Sequence, residues 1–128
     1  MENKEIDIPL SKEEEKEKID FLKSMEFDDF IIHPYYNRDS YIKHAVELET
    51  IKDTYPKFDK IIKVFKRPAK HGFKYSFIYQ LGELKSLVLC FYLDENSPKF
   101  FNAYFDYTNY DKKLKKKLQK WMKRQINK

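Results

Sequence analysis

The sequence predicts an α+β fold: N-terminal helices, an antiparallel β-meander of three to four strands, and a basic amphipathic C-terminal helix packed on the sheet. Three observations carry this. Apolar residues recur at helical spacing before residue 55 and after residue 110, three segments between residues 73 and 107 alternate with a period of two, and turn-forming residues separate those segments. With 128 residues, including 10 Tyr, 11 Phe and 1 Trp, the chain can build one buried core even though 37% of it is charged.

Residues 1–10 are expected to form a flexible arm and residues 11–128 a single domain. Ser11 followed by Glu14 is a capping-box pattern. Ile19, Leu22 and Met25 then share one side, which places a first helix over residues 12–25. The stretch 27–36 is irregular and interrupted by Pro34. Asp39 or Ser40 can cap a second helix over residues 40–54, whose stripe is Tyr41, Ala45, Leu48 and Tyr55 and which Pro56 stops. Ile61 to Phe65 reads either as a strand or as a last helical turn. Phe73, Tyr75, Phe77, Tyr79 and Leu81 alternate with Lys74, Ser76, Ile78 and Gln80, and Gly82-Glu83 marks a tight connection. Leu87, Leu89, Phe91 and Leu93 have apolar neighbours on both sides, as a central strand would. Asp94 to Pro98 is a turn, and Phe101, Ala103, Phe105 and Tyr107 form a last strand. A final helix over residues 110–126 places Leu114, Leu118, Trp121, Met122 and Ile126 on one side, which is expected to dock on the sheet.

The formal charge of +5 conceals a division. Residues 112–128 hold nine basic side chains and no acidic one, and residues 57–74 hold seven against one, whereas residues 1–29 hold 11 acids and five bases. Two basic segments in an otherwise acidic chain point to RNA or another polyanion, or to an acidic protein surface, as partner. A lysine-rich solvated surface is the plain alternative. The single cysteine, Cys90, permits no internal disulfide, and no apolar run reaches membrane-spanning length, so a cytoplasmic location without membrane association is expected.

Several chemistries find no pattern here. Gly72 and Gly82 are the only glycines, too few for a P-loop or dinucleotide fingerprint. His33, His44, His71 and Cys90 lack zinc-ligand spacing, and Cys90 sits mid-strand as a buried, inert thiol. No metal and no cofactor is expected. One reaction remains open to side chains of these kinds, the metal-independent cleavage of RNA. A base takes the proton of the 2′-hydroxyl, an acid protonates the leaving 5′-oxygen, and cations hold the phosphate. The run 63–75 concentrates such groups: Lys66, Arg67, Lys70, His71, Lys74 and Tyr75. His44 adds an imidazole on the second helix. Each has a structural alternative, His44 as a helix-surface residue, His71 as a turn residue, Tyr75 as core.

Tyr41-Ile42-Lys43-His44-Ala45-Val46-Glu47, then Thr54-Tyr55-Pro56-Lys57-Phe58-Asp59-Lys60-Ile61, then strands with Lys85 to Phe91 central and Lys99 to Phe105 last, resemble the phage-associated nuclease-like domains grouped with barnase, EndoU, colicin-type tRNases and RelE. The likeness covers residues 40–108. It implies an RNA-directed nuclease, or a relative that keeps the fold without the activity. It would make His44 a helix-borne acid or base, with Lys74 and Tyr75 at the start of the substrate strand and Asn102 on the last strand, where the family commonly has Thr or Ser. His71 is proposed from local chemistry alone.

Two functional expectations follow. The first is a small metal-independent ribonuclease of a phage or mobile element, a toxin whose lysine helix grips RNA through Lys113, Lys116, Lys117, Lys120, Lys123 and Arg124. The second is a non-enzymatic immunity, anti-defence or inhibitory protein whose charged helices engage a cognate inhibitor, toxin or nucleic acid.

Overall fold

The computed structural model of the chain describes residues 6–70, 72–107, 116 and 119–125. Helix α1 (Lys12–Lys23) starts where the capping pattern places it: the Glu14 amide donates to Ser11 Oγ at 3.1 Å, and Glu13, Glu14 and Glu15 lie at the positive end of the helix dipole. A 3-10 turn, Phe27–Asp29, leads into strand β2 (Ile31–Ile32), which follows the two-residue β1 (Ile8–Pro9).

The expected second helix is broken into two and preceded by a π-helix. A π-helix, Tyr36–Ser40, runs into α2 (Tyr41–His44); Ala45 then turns left-handed at φ 54°, and α3 (Leu48–Thr54) begins afresh. The reason is burial. Val46 and Ile51 are both almost fully buried, yet five residues apart on one continuous helix they would point about 140° from each other. The break lets both reach the core, and the Val46 carbonyl it frees accepts from the Tyr36 hydroxyl at 2.5 Å.

Strands β3 (Ile61–Ala69), β4 (Gly72–Gln80), β5 (Ser86–Tyr92) and β6 (Lys99–Asp106) form the antiparallel meander, so the segment from Ile61 is strand throughout. The sheet itself has six strands in the order β1-β3-β4-β5-β6-β2. Within the expected arm, Ile8 and Pro9 pair antiparallel with Lys66 and Phe65, and Leu10 is buried. At the other edge β2 pairs parallel with β6, Ile31 opposite Lys99.

One face of the sheet carries the main core, where Tyr75, Phe77, Tyr79, Leu87, Leu89 and Phe91 meet Leu22, Phe27, Phe30, Ile51 and Tyr55 from the helical layer. The opposite face carries a second apolar cluster, Ile78, Val88, Cys90 and Phe101. The docking expected of the last helix is corrected for two of its residues: positions 119–125 are helical, but Trp121 and Met122 are 57% and 49% exposed. Leu114, Leu118 and Ile126 lie outside the described residues. No helix among the described residues is long and apolar enough to cross a membrane.

Two substitutions test what holds the layers together. Tyr55 donates its hydroxyl to the carbonyls of Leu22 (2.6 Å) and Met25 (3.0 Å), so Tyr55→Phe should lower unfolding free energy by about 1–3 kcal/mol, read as a shifted urea midpoint. Gly72 has φ +125°, and a Cβ there would lie 2.8 Å from Asp94 Oδ2. Gly72→Ala should therefore destabilise by about 1–3 kcal/mol, and an unchanged midpoint would contradict the strain.

Candidate nucleic-acid interface

Successive residues of a strand point to opposite faces, and this sorts the charged segment 63–75 into two sets. Tyr75 falls on the helical side. It is buried, its hydroxyl donates toward the Asp94 carboxylate at 3.3 Å, and burial with the Asp94 charge pushes its phenol well above the ordinary range. Lys66 falls on the same side, paired with Glu14 at 3.0 Å and lying over the Phe73 ring. Arg67 and Lys74 fall on the other side, opposite each other across β3 and β4, with Tyr92 next in the row on β5. A second row, Ser76, Cys90 and Asn102, crosses β4, β5 and β6.

These rows floor a cavity of about 220 Å³ lined by Arg67, Lys74, Asn102, Ser76 and Cys90, by the rings of Tyr35, Tyr92, Phe101 and Tyr104, and by Asp7. Tyr92 and Phe101 stack at 4.4 Å and 27°, and Lys74 Nζ stands 5.7 Å from the Phe101 ring. Arg67 Nε pairs with Asp7 at 2.9 Å, while Lys74 has no carboxylate partner among the described residues. A neighbouring cavity of about 360 Å³ is lined by His33, Lys70, Lys99, Asp94 and Glu95, and it shares Lys74 and Tyr92 with the first.

Asn102 is held from the sheet edge. Ser40, buried at the end of the π-helix, accepts the Ala103 amide at 3.2 Å and donates to Asn102 Oδ1 at 2.6 Å. That separation belongs to an O–H···O bond rather than an N–H···O bond, so the carboxamide oxygen faces Ser40 and its NH₂ is left for the cavity. Burial pushes the Cys90 thiol up to about 12, against the hydrogen bond it shares with Ser76, which leaves it a thiol and a poor nucleophile. Burial likewise raises the phenols of Tyr92 and Tyr104, which stay protonated as donors.

His44 ends α2 with its ring 5.4 Å from that of Tyr104. Burial first, and the Lys43 charge second, lower its pKa from 6.5. Of the expected catalytic set, Lys74 and Asn102 share the cavity, His44 stands behind its Tyr104 wall, Tyr75 is across the sheet, and His71 lies outside the described residues. Among the expected nucleic-acid contacts, Arg67 and Lys70 line the two cavities, Lys116, Lys120, Lys123 and Arg124 are exposed, and Lys113 and Lys117 lie outside the described residues. Among the described residues no three His, Cys, Asp or Glu side chains gather as metal ligands. The sequence reading missed His33, Tyr35 and Ser40, which come from the irregular stretch before α2, and Tyr92, whose place beside Lys74 was readable from the strand period.

No family model, curated protein or solved structure matches this chain.

His44 holds its proton less tightly in the folded chain than in the unfolded one. The unfolded chain takes up the proton at higher pH than the folded one, so stability is greatest with the imidazole neutral. It falls as pH drops through 6.5 towards the lower folded value. Urea melts from about pH 7.5 to about pH 5.5 should show a shallower decline for His44→Gln than for the native chain. Parallel slopes would mean that His44 titrates alike in both states.

Proposed function

We propose that this chain binds single-stranded RNA on the sheet face opposite its helices. The observation that carries the reading is the cavity in which the rings of Tyr35, Tyr92 and Tyr104, with the buried Phe101 stacked on Tyr92, stand around Arg67, Lys74 and Asn102. Bases of any identity stack on such rings, and the cations meet the backbone between them. At about 220 Å³ the cavity is below the range of about 300–1,000 Å³ usual for small-molecule sites, a size suited to one base of a longer strand. The exposed Lys116, Lys120, Lys123 and Arg124 add charge that attracts a polyanion.

Cleavage of the bound RNA is the second reading. It is favoured by His44, whose lowered pKa keeps it a free base at neutral pH beside the Tyr104 wall of the cavity. Binding leads because a base alone does not make a nuclease, and Tyr75, expected on the substrate strand, is buried on the core side of the sheet.

Fluorescence anisotropy with a labelled RNA tests the reading. The logarithm of affinity should fall with the logarithm of salt by about 0.7 for each neutralised phosphate. Replacing Lys116, Lys120 and Arg124 by Glu should flatten that slope by about 2 while leaving the melting temperature nearly unchanged, since exposed charges add little stability. Salt-insensitive binding, or none, would overturn it. Should the same RNA be cut on a gel, with His44→Ala losing a factor of about 10²–10⁴, the nuclease reading takes its place.

A further inference from the structure

We infer that the two adjoining cavities hold two successive nucleotides of one strand, with the phosphate that joins them seated on Lys74; this rests on the RNA-binding reading above. Lys74 and Tyr92 line both cavities, so the shared boundary is a lysine and an aromatic ring rather than a wall of backbone. A ring for stacking beside a cation for the linking phosphate is what one step of a single strand requires.

Charge accounting places the phosphate at that boundary. The carboxylates of the larger cavity are engaged within the protein: Asp94 accepts the Phe73 amide at 3.1 Å and the Tyr75 hydroxyl, and Glu95 pairs with Lys99 at 2.6 Å. In the smaller cavity Asp7 is paired with Arg67. Lys74 and Lys70 have no carboxylate partner among the described residues, but Lys70 lines only the larger cavity, so a phosphodiester shared by both would meet the charge of Lys74.

His33 joins the two cavities structurally. Its Nδ1 accepts the Tyr35 amide at 3.1 Å, which in the neutral ring puts the proton on Nε2, and its ring lies 5.8 Å from Tyr92. Tyr35 lines the smaller cavity and His33 the larger one. His33 offers an N–H donor in the larger cavity.

Competition against a labelled decaribonucleotide tests the two-nucleotide footprint. The competitors are adenosine 5′-monophosphate, the dinucleoside monophosphate ApA, and ApA with a neutral methylphosphonate linkage. ApA should displace the label at least about tenfold better than the mononucleotide despite its smaller charge, because it alone fills both cavities. The methylphosphonate should forfeit most of that gain in the native protein and in Lys74→Arg, and little further in Lys74→Gln. A mononucleotide as potent as ApA, or a methylphosphonate penalty that survives in Lys74→Gln, overturns the shared-phosphate arrangement while leaving RNA binding intact. Failure of the native protein to bind the decaribonucleotide at all removes the RNA-binding reading and this footprint with it.

Discussion

Tyr55 is the point on which the two layers hinge. Its ring meets Phe27, Phe30, Phe58 and Phe91 edge-on, drawing together the 3-10 turn Phe27–Asp29, the residue before β2, a second 3-10 turn at Phe58–Lys60 and the central strand β5. Its hydroxyl closes the end of α1 through Leu22 and Met25, and its own carbonyl accepts the Tyr79 hydroxyl of β4 at 2.9 Å. Burial raises the phenols of both tyrosines, so each stays a donor throughout the ordinary pH range. Aromatic packing supplies the area, and the two hydroxyls fix how the helices sit on the sheet.

The long strands and α1 were legible in the sequence because their signals are local. Alternation from Phe73 to Leu81 and from Leu87 to Leu93 has one reading as strand, and Ser11 with Glu14 has one reading as a helix start. What stayed hidden depends on partners distant in the chain. Ile8-Pro9 and Ile31-Ile32 are too short to show a period, and they become strands only because β3 and β6 offer open edges. The left-handed Ala45 follows from the competing burial of Val46 and Ile51, and no propensity scale would place it at an alanine. For Trp121 and Met122 the helical stripe was read correctly as a pattern and wrongly as a buried face.

The candidate site was half legible for a related reason. The basic run 63–75 stood out as a cluster in sequence, but a strand deals its residues alternately to two faces. Lys66 and Tyr75 went to the core side and Arg67 and Lys74 to the other, so a cluster in sequence became two sets in space. Asn102, singled out through a resemblance on the last strand, lines the same cavity as Lys74, whereas the residue that orients its carboxamide, Ser40, lies 62 positions away. Long-range hydrogen bonds of that kind leave no trace in spacing.

Both margins of the sheet are closed by side chains as well as by short strands. At β3 the Val64 amide donates to Glu15 at 3.2 Å and its carbonyl accepts the Leu10 amide at 3.1 Å, while Pro68 has no amide hydrogen to offer. At β6 the Ser40 hydroxyl takes the Ala103 amide, beyond the reach of β2. A sheet so rich in aromatic and β-branched residues would otherwise invite strand addition from a second molecule. Capped at these amides, the margins offer an added strand fewer of the donors it would need.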